Sequence, residues 1–386
     1  MDKCYDIVVI GAGIAGASIA AELAPSASVL LLEMEPQPGY HATGRSAAYF
    51  SSSYGSAAVR GITAASEQFY REPPDGFTDL RLLHPRDAVF IARPDQRGKL
   101  HEFHQEVPQL QALTQDEVLR RVPILDSDYV SGGLLEAGGG DLDVDAILQA
   151  YLRRFRQSGG TLCCRQKVDS IVQLPDEWEL FLTGDKPGSE KLSSKQARDK
   201  VRCRIIVNAA GAWAGELGKV AGLGDLGLQP RRRTALLVKL PDSIDASDWP
   251  LTVDVEEQFY FKPDAGLLLV SPADETPSIA CDAQPEELDL ALAMDRLGRA
   301  TSLAINRIEH KWAGLRTFAP DGEFVVGFDP RADGFFWMAG QGGYGVQSAP
   351  GLAKLAGALV TGSTLSEGFS SLESFRDLVS PARLLA

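Results

Sequence analysis

A glycine-rich motif near the start of the chain carries the clearest chemical signal. Residues 11–16 read Gly-Ala-Gly-Ile-Ala-Gly, and Glu33 lies 20 residues after Gly13. Gly11 permits a tight turn out of a strand, Gly13 lets a pyrophosphate approach the backbone, and Gly16 lets the following helix pack closely on that strand. A carboxylate at the Glu33 spacing can accept both hydroxyls of an adenosine ribose, and it would repel the 2′-phosphate of NADP. The motif therefore predicts a dinucleotide site.

The elements around this motif support the same interpretation. Residues 5–10 form an apolar run typical of a buried parallel strand, the small residues of 17–23 favour a helix, and 28–32 form a second apolar run. A helix that begins directly after the glycines presents its free backbone N–H groups and its positive dipole end to the phosphates. We therefore expect a strand–helix–strand unit.

The loop after this unit favours FAD over NAD. Residues 44–48 read Gly-Arg-Ser-Ala-Ala, whereas an NAD enzyme usually enters another helix directly. Arg45 can pair with a phosphate and Ser46 can donate a hydrogen bond to it. The two alanines that follow permit the close approach of a flat ring.

Two more turns of small residues lie farther along the chain. Residues 208–211 follow the apolar run 204–207, and the glycine-rich stretch 340–345 follows the run 335–339 and precedes a helical pattern over 349–359. The first turn can approach the adenosine half of FAD. The second offers a helix N-terminus to the electron-rich pyrimidine edge of a reduced flavin. Because no cysteine lies near this second turn, we expect FAD to be bound non-covalently.

Composition limits the class of protein. The 386 residues are 44% hydrophobic and 23% charged, ordinary for two or three globular domains, and a net charge of −14 argues against binding to nucleic acid or to an anionic membrane. No apolar run reaches the roughly 18–20 residues of a spanning helix, and the start lacks a signal pattern, so we expect a cytoplasmic location. The five cysteines lie away from metal-binding spacings, so we expect them to be reduced and expect no metal site.

Alternating patterns between these pieces predict a second domain built on an antiparallel sheet. They cover residues 82–92, 234–240, 257–262 and 267–270, and short helices are expected over 115–122 and 285–297. Thr114 and Glu117 are spaced as a capping box for the first of these helices.

With these motifs the chain resembles the D-amino-acid oxidase group of FAD-dependent oxidoreductases, which includes glycine and sarcosine oxidases. The matching pieces are residues 10–16, Glu33, 44–48, 207–213 and 341–345. Within the group it most resembles the D-arginine dehydrogenase type, through stretches such as 37–41, 228–230, 262–266 and 312–316.

The resemblance implies an α/β fold in two parts. The first is a discontinuous Rossmann-like FAD-binding domain (1–80, 140–222 and 310–386), and the second is an antiparallel-sheet substrate-binding domain (81–139 and 223–309). It also implies which residues contact FAD: Gly11, Gly13, Ile14, Ala15, Gly16, Glu33, Met34, Gly44, Arg45, Ser46, Ala47, Ala48, Val168, Ala210, Gly211, Trp213, Gly342, Gly343, Tyr344, Gly345 and Val346.

An arginine and a tyrosine are the main candidates for holding the substrate. Flavin oxidation of an amino acid requires that Cα be placed against the flavin while the carboxylate is held away from it, and a buried carboxylate favours a bidentate arginine. Arg316 matches the family's carboxylate-binding arginine, and Tyr260 matches its carboxylate-side tyrosine. Arg233 matches a substrate-side arginine, and strand alternation would turn Arg232 to the opposite face from Arg231 and Arg233.

Three residues after the flavin loop complete the expected site. Tyr54 matches a tyrosine on a mobile loop over the pocket, and Gly55 could supply the hinge. Tyr49 and Ser51 are expected to face the flavin ring.

Two departures from the D-arginine dehydrogenase pattern concern the substrate. That type carries a glutamate where this chain has Ala88, and Asp87 next to it would point to the other face of a strand. That type also has a histidine beside the flavin loop where this chain has Tyr49. Both changes predict a pocket for a neutral side chain.

The expected reaction is the oxidative deamination of a D-amino acid by hydride transfer from Cα to flavin N5. The imine product would hydrolyse to a 2-oxo acid and ammonia. Three alternatives stay open: oxidation of a secondary amine such as an N-alkyl amino acid or opine, oxidation of a 2-hydroxy acid or glycerol phosphate, and a flavoprotein that only binds its cofactor. The sequence identifies neither the electron acceptor nor the group that takes the proton from the amine.

Overall fold

The glycine-rich motif follows the carboxyl end of a central strand in an eight-stranded sheet. The computed structural model describes residues 3–184, 199–303, 305 and 307–385. Within these residues the strands are β1 (Lys3–Ile10), β2 (Val29–Leu32), β3 (Tyr49–Phe50), β4 (Leu83–Pro85), β5 (Ala88–Ala92), β6 (Gln111–Leu113), β7 (Gly132–Glu136), β8 (Gly140–Leu142), β9 (Thr161–Cys163), β10 (Lys167–Gln173), β11 (Trp178–Thr183), β12 (Asp199–Asn208), β13 (Gln229–Val238), β14 (Leu251–Asp254), β15 (Tyr260–Asp264), β16 (Leu267–Ser271), β17 (Thr276–Pro277), β18 (Ile308–Phe318), β19 (Val325–Phe328) and β20 (Phe335–Ala339).

Helices cover the sheets and join them. They are α1 (Ile14–Leu23), α2 (Ala57–Arg71), α3 (Arg97–Glu106), α4 (Gln115–Arg121), α5 (Val144–Gln157), α6 (Ala214–Val220), α7 (Glu287–Ala300), α8 (Ala349–Thr361) and α9 (Arg376–Val379). The predicted capping box is present at the start of α4, where Thr114 accepts from the Glu117 backbone and the Glu117 side chain accepts from the Thr114 backbone.

The core of the first sheet is parallel. Strand β1 pairs in parallel with β2 and β12, and β12 pairs in parallel with β20. Ile7 and Val9 pack into the apolar layer formed with α1, α5 and α8, whereas Val8 and Ile10 pack into the layer on the other face. Because these strands run in one direction, their carboxyl ends and the three glycine-rich turns that follow them meet at one edge of the sheet.

The second sheet has nine strands and is antiparallel except where β14 pairs with β5. On one face Leu236, Phe261 and Val270 pack against Leu290 and Leu297 of α7. Since burial of each such side chain contributes about 1.5–3 kcal/mol, this face is fixed as the interior, and the opposite face is turned to the first sheet. The predicted α/β fold with an antiparallel second sheet is confirmed. The predicted domain boundary at residue 310 falls inside β18, which pairs with β13.

A three-stranded sheet in the order β3–β8–β4 links the two larger sheets. The strand pattern predicted over 82–92 forms two strands, and only β5 belongs to the second sheet, since β4 belongs to this small sheet. The chain bends between them at Arg86, whose side chain pairs with Asp141 and also donates to the Ser247 carbonyl. None of the helices in the described ranges is long and apolar enough to cross a membrane.

Candidate active site

One large cleft opens at the carboxyl edge of the first sheet and faces the second. Its cavity volume is about 360 Å³. Glu33, Ala210 and Gly342 line it from the first sheet, and Arg233 and Tyr260 line it from the second. Because its lining extends from the turn after β1 to the strands of the second sheet, the cleft suits an elongated cofactor with its reactive end toward the second sheet.

The glycines of the first turn leave a cradle that side chains would fill. Gly11 has a φ of +100°, and a Cβ atom there would lie 2.4 Å from the Ala209 carbonyl oxygen. A Cβ at Gly16 would lie 1.8 Å from the Gly11 oxygen, so α1 can approach β1 only without that side chain. Gly13 caps α1 without a side-chain hydrogen bond. The turn therefore fits the pyrophosphate of FAD, with Ile14 and Ala15 also lining the cleft.

Thr43 closes this turn, and no sequence motif singles it out. Its buried Oγ1 accepts a hydrogen bond of 3.0 Å from the Ile14 amide and would lie 3.1 Å from a Cβ at Gly13. Thr43 lies in a short helical turn after β2, 29 positions along the chain from Ile14. Such a pairing depends on how the loop folds back, which no local pattern records.

Glu33 stands at the end of β2, where the ribose acid was predicted. Its two carboxylate oxygens accept from the Ala12 and Glu35 amides, each at 2.9 Å. Burial raises the pKa of Glu33, and the two amides and the nearby His41 act in the opposite direction. Met34 beside it also lines the cleft, as does His41, whose ring lies 4.6 Å from that of Trp213.

The loop predicted to contact the flavin holds a different set of contacts from those expected. Arg45 lines the cleft, but its guanidinium donates to the Ala283 and Ala313 carbonyls at 2.9 and 3.0 Å and pairs with Asp282. The structure thus shows Arg45 fastening the loop to the second sheet, and it shows no phosphate-facing position for this side chain. Ser46 Oγ accepts from the Ala48 amide, and Ala48 has a φ of +43°.

Other predicted cofactor residues fall into two groups. Those that line the cleft, besides the ones above, are Ser46, Ala47, Val168, Gly211, Trp213, Gly343, Gly345 and Val346. Those that lie behind its wall are Gly16, Gly44, Ala48 and Tyr344. Gly44 is a packing position, because a Cβ there would lie 2.6 Å from the Gly39 oxygen. Gly211 has a φ of +57° and open space around it, which leaves room for a ligand.

The third glycine-rich turn lies directly against Arg316. A Cβ at Gly343 would be 2.7 Å from the Arg316 Nη1 atom, so the absence of a side chain lets the guanidinium reach the cleft. Gly342 is held by a hydrogen bond of 2.9 Å from its amide to the Thr317 carbonyl. The predicted flavin turn and the predicted substrate arginine are therefore neighbours.

Arg316 is a half-buried cation with an unfilled hydrogen-bonding position. Its Nη1 atom is buried and has no hydrogen-bond partner among the described residues. Desolvation acts to lower the pKa of Arg316, but the nearby Tyr54, Tyr260 and Tyr344 hydroxyl groups outweigh it and the pKa is raised. A guanidinium with a free N–H group in a cleft favours an anionic ligand, above all a carboxylate that it can hold through two hydrogen bonds.

Arg233 lines the cleft but is already paired. It donates to the Asp274 carbonyl at 2.8 Å and to Glu275 at 2.9 Å, and Glu275 also binds Arg231 at 2.8 Å. Arg232 points to the other face and pairs with Asp289 of α7, as the alternation predicts. Arg45, Arg233 and Arg316 all line the cleft, and since Arg45 pairs with Asp282 and Arg233 with Glu275, Arg316 carries the least compensated positive charge of the three.

Tyr54 stands between the second sheet and the third glycine-rich turn. Its hydroxyl donates to Glu257 at 3.2 Å, and its ring centroid lies 4.9 Å from that of Tyr344. Burial raises the pKa of Tyr54, and so does the adjacent Glu257. Gly55 follows it with a φ of +95°, a conformation suited to a hinge.

Tyr49 and Ser51 do not face the cleft, and this expectation is wrong. The Tyr49 hydroxyl donates to the Arg86 carbonyl at 2.6 Å, and its ring packs with Phe90 in an apolar cluster of the second sheet. Ser51 Oγ donates to Glu136 at 2.7 Å. The pairing of β3 with β8 turns both side chains this way, and a two-residue strand gives no sequence signal of its partner.

The two positions expected to determine charge preference also lie outside the cleft wall. Ala88 is fully buried in the same apolar cluster as Phe90. Asp87 accepts from the Gly138 amide and lines a separate surface cavity with Arg120. All five cysteines are free, and Cys281, which the sequence did not mark, lines the cleft. No group of three or more possible metal ligands occurs in the described part of the chain.

Comparison with known proteins agrees with this geometry. The family model described as FAD dependent oxidoreductase matches residues 6–359. The chain belongs to this FAD-dependent oxidoreductase family. FAD is therefore the cofactor that the glycine cradle and Glu33 would hold, and the chain is an oxidoreductase.

Relatives within the family are distant. The chain is 25% identical over 66% of its length to FAD-dependent oxidoreductase domain-containing protein 1 of Bos taurus, and the match covers 57% of that protein. It is 24% identical to glycine oxidase of Geobacillus kaustophilus over 91% of both chains. It is also 24% identical over 72% of its length to mitochondrial dimethylglycine dehydrogenase of Rattus norvegicus, of which it spans 32%.

A solved structure shows the same fold. The crystal structure of glycine oxidase from Geobacillus kaustophilus superimposes with a TM-score of 0.80 at 21% identity, covering 95% of this chain and 98% of that one. The likeness extends over both large sheets of this protein.

Proposed function

We propose that this protein oxidises D-amino acids with neutral side chains, in the manner of the D-arginine dehydrogenase type but with a different side-chain preference. The product would be an imine that hydrolyses to a 2-oxo acid and ammonia. The observation that carries the proposal is the Arg316 guanidinium, whose buried Nη1 atom has no partner among the described residues and lies against Gly343 of the flavin turn. By name, glycine oxidase and dimethylglycine dehydrogenase act on substrates that join an amine to a carboxylate, which is the chemistry this position would recognise.

The residues of the cleft would fix the substrate by its carboxylate. Arg316 would hold the two carboxylate oxygens, and the Tyr260 hydroxyl would donate to one of them. The Tyr54 hydroxyl, which donates to Glu257 in this structure, would turn from Glu257 to the substrate carboxylate. Bound FAD supplies the hydride acceptor. Because Gly343 brings the turn against the guanidinium, a substrate anchored there has its Cα close to that turn, and this positioning is the main contribution the protein makes.

The amine must lose its proton before the hydride can leave. The substrate-facing part of the cleft is formed by Arg233, Tyr260 and Arg316, with Tyr54 beside it, and each of these side chains carries a hydrogen-bond donor. None of the four is a base at neutral pH, so we infer that the amine binds neutral and gives its proton to solvent before it reaches the site.

The preference for a neutral side chain rests on the sequence departure at position 88. The D-arginine dehydrogenase type has a glutamate there that can pair with a guanidinium, whereas this chain has Ala88, which is fully buried outside the cleft wall, and Asp87 lines the second cavity. Glu136, opposite Ala88 in the adjacent strand, also lies outside the cleft and accepts from Ser51 and Ser53. A guanidinium substrate would therefore lack that carboxylate partner, and leaving a buried charge unpaired commonly costs several kcal/mol.

The test is anaerobic flavin reduction over a panel of compounds. Neutral D-amino acids are expected to bleach the flavin absorption faster than D-arginine, L-amino acids, sarcosine, proline, 2-hydroxy acids or glycerol 3-phosphate. Faster reduction by D-arginine would refute the side-chain preference. Reduction by sarcosine or proline alone would move the assignment to secondary amines, and reduction by hydroxy acids alone would refute amine oxidation.

A further inference from the structure

Glu136 is a buried carboxylate that the proposed reaction does not use. It is 4% exposed, at the end of β7. The other buried acids of the described residues are Glu33, Glu179, Asp254, Asp289 and Asp329. Each of these except Glu33 has an arginine or lysine within 4 Å, and Glu33 is accounted for by the cofactor. For Glu136 no such cation occurs among the described residues, so its burial calls for another explanation.

Its hydrogen bonds all go to one short stretch of chain, residues 51–54, here called the Tyr54 segment. Oε2 accepts from Ser51 Oγ at 2.7 Å, and Oε1 accepts from the Ser53 amide at 3.0 Å and from Ser52 Oγ at 3.3 Å. Three consecutive residues thus converge on one carboxylate from a different sheet.

A second attachment holds the same segment from the flavin side. The Ser51 amide donates to Gln347 Oε1 at 3.2 Å, and Gln347 donates to Thr63 of α2 at 3.1 Å. Gln347 lies just after the third glycine-rich turn. The Tyr54 segment is therefore fixed between β7 of the second sheet and this turn, directly before Tyr54 and the positive-φ Gly55.

We propose that Glu136 is a positioning residue that holds the Tyr54 segment in place, so that Tyr54 stands beside Arg316 to receive the substrate carboxylate. The role rests on the proposed function, because it is through Tyr54 that Glu136 acts on binding. Glu136 itself does not line the cleft and makes no contact with the substrate. A carboxylate suits this role because both of its oxygens accept hydrogen bonds, so it can hold the Ser51 hydroxyl and the Ser53 amide at the same time.

Removing the carboxylate should weaken carboxylate binding through Tyr54. For the holoenzyme E136A we expect the KM of the best amine substrate and the Kd of benzoate to rise at least tenfold, with kcat changed less than threefold. Benzoate carries the carboxylate but no oxidisable amine, and its binding is read from the shift in flavin absorption. In E136Q the side-chain oxygen can still accept from the Ser53 amide, and the Ser51 hydroxyl can turn to accept a hydrogen bond from the new NH2 group. We therefore expect the KM of the substrate and the Kd of benzoate to stay within threefold of wild type.

A double-variant cycle separates positioning from a general loss of structure. When Tyr54 is replaced in Y54A, adding E136A should raise the benzoate Kd less than twofold further, because no tyrosine is left to displace. An equal tenfold rise in the Y54A background would overturn the proposal, and so would an unchanged Kd in E136A. The control is E179A, which removes another buried carboxylate, from β11, and should leave the benzoate Kd unchanged.

Two further measurements keep the test independent of folding and of the reaction. If E136A does not retain flavin, S51A removes the 2.7 Å bond from the other side and should raise the benzoate Kd in the same direction. If no amine reduces the wild-type flavin, the proposed function fails, but the position of Tyr54 can still be read from crystals of holo E136A. Movement of its ring from the 4.9 Å contact with Tyr344 supports the role of Glu136, and an unmoved ring refutes it.

Discussion

Replacement of Arg316 by methionine gives the sharpest test of the substrate site. The change keeps much of the buried volume but removes the guanidinium that faces the cleft beside Gly343. A hydrogen bond to a charged group contributes about 1.5–3 kcal/mol, and loss of one partner of a buried ion pair costs about 3–5 kcal/mol. Since about 1.4 kcal/mol corresponds to a tenfold change in affinity, R316M should raise the benzoate Kd roughly 100- to 3000-fold.

Lysine at the same position should give an intermediate result. R316K keeps the charge but replaces the planar fork by a single ammonium group, so we expect the Kd to rise about 10- to 50-fold. Both variants should retain flavin, because the cradle of Gly11 and Gly13 lies elsewhere in the cleft. Benzoate binding is titrated by flavin absorption, and kcat/KM is measured with the amine that reduces the wild-type enzyme fastest.

The control uses an arginine on the same sheet but on its other face. R232K keeps the charge opposite Asp289 and should leave the benzoate Kd and kcat/KM within twofold of wild type. If R316M retained its flavin and bound benzoate with the wild-type Kd, Arg316 would not hold the substrate carboxylate, and the proposed orientation of the substrate would be wrong.

Three other predictions follow from the same structure. G16A should abolish flavin retention, because its Cβ would lie 1.8 Å from the Gly11 oxygen. G13A should only weaken retention, because its Cβ would lie 3.1 Å from the Thr43 Oγ1 atom. The flavin content of the purified variants distinguishes the two. Burial raises the pKa values of Tyr54 and Tyr344, so both hydroxyls stay protonated while the substrate amine loses its proton. We therefore expect kcat/KM to rise with pH to a plateau and not to fall again below about pH 10. Hydrogen bonds from the Ser28 amide and hydroxyl and from Arg204 lower the pKa of Asp6 to about 2. The stabilising effect of Asp6 is therefore present above the ordinary carboxyl pKa and is lost as the pH falls toward 2. The Tm difference between wild type and D6N, measured by circular dichroism, should disappear over that range.

Local patterns were sufficient to predict the cofactor end of the cleft. The turn at Gly11, the packing of Gly16 and the acid at Glu33 are adjacent in sequence to the strand and helix that position them, so the geometry follows from a short stretch of chain. The turn of Arg232 away from Arg233 likewise follows from strand alternation alone.

The contacts that sequence reasoning missed all join distant parts of the chain. Thr43 binds the Ile14 amide, Cys281 reaches the cleft from a loop before α7, and Glu136 binds the Tyr54 segment 85 residues away. Tyr49 was placed wrongly for the same reason, because its direction depends on the pairing of β3 with β8. Such pairings are decided by packing between sheets, and the types of the residues involved do not reveal them.

The attachment of Arg45 has a consequence for how the coenzyme enters and leaves. Arg45 holds the Ala283 and Ala313 carbonyls, and its own carbonyl accepts from the Trp312 indole at 3.0 Å. The loop after β2, which lines the cleft, is thus hydrogen-bonded to the second sheet. We therefore expect the residence time of the coenzyme to depend on these bonds between the two sheets as well as on the contacts of the coenzyme itself.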